Sequence, residues 1–274
     1  MKFTIPKQFN DYTLREIFHY LKLPKKDLHQ LNMSKEILIN EEYGTLLNNV
    51  KTGDYVEIPT PNEVSNYLPS YRYAQIYYED DDLAIVMKPK GVKTHPNDLK
   101  ESNTLMNHVI YTVDSEYVEP IHRLDQETVG LLIVAKNPLM KKILDRMLEY
   151  NEITRIYKAN VKALLPIKPQ TIDMPIGKDK FHSNKRRISN TGQRAITHII
   201  DSKMIKEGVC QLDIKLDTGR THQIRVHLAE IGHPVIGDPL YGTSTLRQLE
   251  LNSHQIEFTH PLTQEIISVS LDDK

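Results

Sequence analysis

The stretch that most limits how this chain can fold is Pro120-Ile-His-Arg-Leu-Asp-Gln-Glu-Thr-Val-Gly-Leu-Leu-Ile-Val-Ala-Lys136. A polar run, His122 to Thr128, passes through Gly130 into Leu131-Leu-Ile-Val-Ala135, an apolar run of the kind found in a buried strand. A polar loop tied to a core strand is a rigid way to hold one carboxylate, Asp125, at the edge of a cleft. The rest of the chain is read as serving that loop.

With 274 residues there is room for one large domain and a small one, each with a real core. A formal net charge of -1 provides no global basic field, so any nucleic-acid site has to be a local patch. A lone cysteine, Cys210, makes no internal disulfide and supplies no multi-cysteine zinc site. The N-terminus lacks the apolar core of a signal peptide and no apolar run is long enough to cross a bilayer. These features point to a reduced, cytoplasmic protein with no membrane partner.

In residues 1–60, Leu14, Ile17, Phe18 and Leu21 fall on one helical face, and a second helix is expected over Asp27 to Met33. Short strands are expected at Ile37 to Ile39 and Tyr55 to Ile58. That order resembles the alpha-L RNA-binding module, whose positive face would reduce here to Lys22, Lys25 and Lys26; a packing or oligomerisation domain is the alternative. The prolines of residues 61–72 form a stiff linker, and 73–274 the larger domain. There, Asn137-Pro138 is a helix start and Met140, Ile143, Leu144 and Met147 its core stripe. Ile153 to Leu165, Ala195 to Ile200 and Val209 to Leu216 read as strands, Lys178 to Arg187 as a basic loop, and Thr221 to Ile231 as a helix. Many strands with few, scattered helices predict an α+β domain on a largely antiparallel mixed sheet, preceded by a small α+β domain.

Three residues stand out chemically. Asp125 lies in the polar loop, Tyr157 on a strand face of small apolar residues, and Arg225 on an unusually polar helix that also carries His222. A buried arginine near Asp125 would keep its carboxylate ionised. Each also has an ordinary structural role to play, as a turn acid, a packed tyrosine and a structural ion pair.

The pattern as a whole is more telling. His122-Arg-Leu-Asp125-Gln-Glu-Thr128-Val-Gly130, Arg155-Ile-Tyr157-Lys-Ala159 and Thr218-Gly-Arg-Thr-His-Gln-Ile-Arg-Val-His-Leu228, with Lys88-Pro89 and Gly232-to-Gly242 landmarks, resemble in order the motifs of the RluA-type pseudouridine synthases. The resemblance runs from about residue 75 to 270 and departs from the family at Val129, where serine is common. It implies an RNA pseudouridine synthase with Asp125, Tyr157 and Arg225 as catalytic residues and no cofactor. It also implies base flipping, with Arg123 filling the vacancy. Lys88, Lys185, Arg186, Arg187 and Arg220 are then the expected RNA contacts, alongside Lys22, Lys25 and Lys26. Ribosomal RNA is the favoured partner and transfer RNA the second choice, with no obligate protein partner. His222, His227 and His233 lack metal-site spacing, so no metal is expected. Two rival classes are a non-catalytic RNA- or ribosome-binding protein of the same fold and a glycoside hydrolase, which usually needs two facing carboxylates.

Overall fold

The computed structural model describes residues 1–98, 100–113, 115–242 and 248–273. The N-terminal part contains β1 (Lys2–Thr4), α1 (Leu14–Tyr20), α2 (Lys25–Ser34), β2 (Leu38–Ile39), β3 (Glu42–Tyr43) and β4 (Tyr55–Glu57), in an antiparallel sheet of order β1-β4-β2-β3. α1 begins where its sequence says it should. Thr13 accepts from the Glu16 amide, and the Glu16 carboxylate accepts from the Thr13 amide at 2.8 Å, a reciprocal cap. Leu14, Ile17, Phe18 and Leu21 are all buried as expected. Strand β1 went unforeseen, because three residues carry no readable alternation; pairing of Phe3 with Val56 makes it.

The chain from Pro59 to Ala74 has no helix or strand, yet it is pinned to the larger body. Ser65 donates to the Val118 carbonyl at 2.7 Å, Tyr67 to the Glu119 carboxylate at 2.8 Å, and Asn107 to the Leu68 carbonyl at 2.7 Å.

The larger body contains β5 (Gln75–Glu79), β6 (Leu83–Lys88), α3 (Leu105–Thr112), β7 (Glu119–Pro120), β8 (Val129–Ala135), α4 (Pro138–Glu149), β9 (Thr154–Lys162) and β10 (Gln170–Asp173). There follow β11 (Ile176–Lys178), β12 (Arg186–Ile188), β13 (Ile196–Lys206), β14 (Val209–Leu216), α5 (Gln223–Glu230), β15 (Leu251–Thr259) and β16 (Ile266–Ser270). Ten of these strands form one sheet, β10-β13-β14-β9-β15-β8-β6-β5, with β16 on β15 and β7 on β8. Only β15 and β8 run parallel among the described pairs. The fold is therefore α+β, with a large, mostly antiparallel mixed sheet and a small antiparallel one. The basic segment 178–187 is the tip of a hairpin: its ends pair in β11 and β12, and residues 179–185 form the loop between them.

Two cores sandwich the sheet. On one face, Leu83, Ile85, Leu131 and Ile133 pack with Met140 and Leu144 of α4, and this cluster continues into Phe18, Leu28 and Leu46 of the N-terminal part. On the other, Ala84, Val86, Leu132 and Val134 pack with Leu105 and Val109 of α3, Ile224 and Leu228 of α5, and Tyr157. The alternate residues of β8 thus feed both cores, which is why the run 131–135 has no polar member. Gly130, at φ 123°, permits the parallel join: a Cβ there would lie 2.2 Å from the Ser253 carbonyl oxygen.

The contact between the two parts also holds an acid. Burial pushes the Asp82 carboxyl up to about 6, with Asp80 adding to the effect, against the pull of the Met1 ammonium and the Asn137 amide. A carboxyl raised in the folded state favours folding fully below its unfolded value and loses that advantage as pH rises through about 6. Asp82→Asn should therefore stabilise the protein at pH 7.5 by about 1–3 kcal/mol and by less at pH 5, as read from denaturant midpoints at the two pH values.

Candidate active site

Asp125 sits in the loop between β7 and β8, at the edge of a cleft of about 590 Å³. The loop is held from below. Lys88 is fully buried at the end of β6, and its ammonium donates to the carbonyls of Pro89, Val92 and Gln126 at 3.0, 2.6 and 3.0 Å. Lys88 thus has no surface to offer RNA: its expected phosphate contact is replaced by a structural role. Burial holds its pKa down to about 8, although Asp125 and Glu127 pull the other way. Thr94 clasps the same loop from the side, accepting from the Leu124 amide at 3.1 Å and donating to its carbonyl at 3.0 Å.

Across the cleft, Arg225 of α5 donates from Nη1 to Asp125 Oδ2 at 3.1 Å. Its other edge forks onto Asp238, Nε to Oδ2 and Nη2 to Oδ1, both at 2.8 Å. Asp238 is fully buried and also accepts from the amides of Leu240 and Tyr241 at 2.9 and 3.1 Å. Burial raises the Asp238 carboxyl, but Arg225's hydrogen bonds and charge, with those two amides, outweigh it and hold the group below its ordinary value. A planar guanidinium clamped along one edge presents the other in a fixed direction. Asp238 thus positions Arg225, a function the sequence reading did not assign to it.

His222 lies just before α5 in the left-handed region, φ 60°, a conformation costly for a non-glycine residue. Its Nε2 is 3.7 Å from Asp125 Oδ2. Burial, opposed by Asp125 but reinforced by Arg225 and Arg186, lowers its pKa, so the ring is neutral at neutral pH and this approach is not an ion pair. Tyr241 Oη accepts from the Arg186 amide at 2.8 Å and lies 2.9 Å from His222 Nδ1. The unusual polarity of α5 is also explained. Gln223 donates to the Ile196 carbonyl at 2.9 Å, and His227 is buried between Thr197 Oγ1 and the Met174 carbonyl, each at 2.9 Å.

Tyr157 is buried on β9 and lines the cleft with Leu216, Ile224 and Leu251. Arg123 is exposed and borders both this cleft and a second one of about 360 Å³ on the other side of Asp125. The second cleft reaches Asn184, beside Lys185, Arg186 and Arg187 on the hairpin, and those three side chains are half-buried. Arg220 is exposed on the rim of the first. So the fold brings Asp125, Tyr157, Arg225, Arg123 and Arg220 to one cleft, with the hairpin next to it.

The N-terminal lysines lie elsewhere. Lys22 pairs with Glu152 and sits 4.2 Å from the centre of the Tyr150 ring, so it serves the contact between the two parts. Lys25 and Lys26 are exposed at the start of α2.

Comparisons with known proteins identify the family. The RNA pseudouridylate synthase family matches residues 82–230, and the RluD ribosomal pseudouridine synthase N-terminal domain matches residues 1–56. The chain is 39% identical over 257 residues to the uncharacterized RNA pseudouridine synthase YhcT of Bacillus subtilis (strain 168), spanning 90% of this chain and 84% of YhcT. It is 36% identical over 208 residues to ribosomal large subunit pseudouridine synthase D of Nitrosomonas europaea, spanning 70% of this chain and 60% of that protein. The solved structure of human RNA pseudouridylate synthase domain containing 1 aligns with a TM-score of 0.58 at 26% identity, over 73% of this chain and 84% of that one. The chain belongs to the RNA pseudouridylate synthase family, as an RluA-type enzyme with an RluD-like N-terminal domain.

Proposed function

We propose that this RNA pseudouridine synthase acts on ribosomal RNA, with Asp125 as the essential carboxylate, Arg225 as the group that orients it, and Tyr157 as the residue against which the uracil lies. The observation that carries the reading is the 3.1 Å contact between Asp125 and Arg225 in an open cleft that Tyr157 also lines. The reaction breaks the bond from ribose C1′ to uracil N1, turns the base, and forms a bond from C1′ to C5. The C5 proton leaves and N1 gains one, so the reaction balances without a redox partner. A carboxylate beside the sugar serves such a centre by attack, by addition to the ring or by proton removal. Tyr157 is placed to stack on the base or to take the C5 proton.

A stacked uridine cannot reach this cleft, so the nucleotide has to flip out. Arg123, exposed between the two clefts, fits the vacated position, since a guanidinium plane stacks on bases. Arg123→Ala should lose at least about tenfold more activity on folded RNA than on a short unstructured strand, because only the folded substrate pays the unstacking cost. Equal losses on both substrates would refute the role.

Preference for ribosomal RNA is supported by relatives named for the large ribosomal subunit and by the RluD-type N-terminal match. Mapping pseudouridine across total RNA from cells with and without the protein tests it. Loss at one or a few ribosomal positions is expected; loss confined to transfer RNA would contradict the substrate assignment, and no loss anywhere would contradict the wider reading.

A further inference from the structure

The cleft contains a cation that nothing described so far uses. Arg155 lies two residues before Tyr157 on the same face of β9, about 7 Å away along the strand. It lines the cleft and is only 6% exposed. Its Nε is buried without a hydrogen-bond partner, and among the described residues no carboxylate forms an ion pair with it. The nearby acids are already neutralised on their own helix. Asp145 and Glu149, which also line the cleft, pair with Lys141 and Arg146, each at 2.5 Å. His122, also in the lining, has both ring nitrogens buried without partners. Burial first, and then the charge of Arg155, lowers the His122 pKa well below its ordinary value, so the ring adds no second cation.

A buried guanidinium with no anion is costly to the fold, since desolvation of its charge goes uncompensated. Folded proteins keep such groups where a ligand supplies the missing partner. Here the apolar walls of the cleft, Tyr157, Leu216 and Leu251, suit a flat base. A guanidinium one strand-pair further along lies at roughly the reach from a base to its own phosphate. We infer that Arg155 is an anion-binding residue of the cleft, which receives the phosphate group attached to the flipped nucleotide and so seats the base against Tyr157. This inference rests on the proposed reading of the cleft as the site of an extruded uridine.

Binding of small probes tests it without relying on turnover. Uridine, uridine 3′-monophosphate and uridine 5′-monophosphate are titrated into the full-length protein, wild type and Arg155→Met, with binding followed by NMR. One of the two monophosphates should bind the wild type about 10- to 100-fold more tightly than uridine, as charge-assisted bonds to a buried arginine do. Arg155→Met should erase that difference and leave uridine itself bound as before. The salt dependence of binding to ribosomal RNA should become shallower by about one unit in the same variant. Its melting temperature should hold or rise, because an unpaired buried charge has been removed. A monophosphate preference that survives Arg155→Met, or is absent from the wild type, would overturn the inference, as would a melting temperature that falls with all three ligands weakened alike. Pseudouridine formation by wild type, measured separately, reports on the parent reading, so the two failures are told apart.

Discussion

Asp125→Asn is expected to slow pseudouridine formation by at least about 10⁴-fold while leaving RNA affinity within a factor of a few, because the change removes one charge from the reacting centre and no bulk from the cleft. The reason lies in how the site is built. Asp125 is held by its loop, which Lys88 and Thr94 fasten from two sides, and neither anchor depends on the Asp125 side chain. Arg225 keeps its fork on Asp238 when the hydrogen bond to Asp125 weakens. Melting temperature should accordingly shift by no more than a few degrees. Single-turnover rates and filter-binding affinities, measured on the same RNA, separate the two effects. A variant that lost affinity and rate together would point to a structural or binding role for Asp125 in place of a chemical one.

Asp238→Ala should be the most damaging change away from the reacting atoms. It leaves the buried Arg225 guanidinium with Asp125 as its only remaining acid among the described residues, and breaking a buried pair in this way costs about 3–5 kcal/mol. Activity should fall by about 10²-fold or more even at temperatures where the variant is folded, since a displacement of about 1 Å in a positioned group has that effect. The double variant Arg225→Met with Asp238→Leu should regain much of the lost stability, because no uncompensated charge stays buried, but none of the lost activity. Denaturant midpoints and single-turnover rates for the three proteins give the comparison. Recovery of activity along with stability would show that the pair is structural only. The pair also makes an acid signature: Asp238's pKa is depressed, so its stabilisation is complete above the ordinary carboxylate value of 3.8 and is lost as pH falls through the lower folded value.

What the sequence revealed and what it hid divide along a physical line. Features carried by neighbours in the chain were legible. The Asn137 helix cap, the burial of Leu131 to Ala135 and the amphipathic stripe of α4 all follow from local spacing. Asp125 stood out in a polar loop just ahead of a core strand, and Arg225 on an unusually polar helix. Their meeting at 3.1 Å depends on the sheet order, which local patterns do not encode. The parallel pairing of β15 with β8 was invisible for the same reason, although Gly130 marks the point of close approach. Lys88 misled because a lysine that ends a strand ordinarily reaches solvent; here a turn and the Asp125 loop close over it and supply three carbonyls. Asp238 hid in a glycine-rich turn, where an acid is commonplace. Its signal was the Arg225 side chain, which needed a partner more deeply buried than Asp125. Lys22 looked like part of a basic face because its partner, Glu152, lies in the other part of the molecule.

The central claim is that the carboxylate at position 125 performs the isomerisation in the cleft it shares with Arg225. The most direct test incubates excess purified protein with unmodified ribosomal RNA for one turnover, digests the RNA to nucleosides and quantifies pseudouridine by mass spectrometry. Wild type should form pseudouridine in stoichiometric amounts at a discrete site, and Asp125→Asn, at equal occupancy on the RNA, should form none above background. Equal yields from the two proteins would contradict the claim.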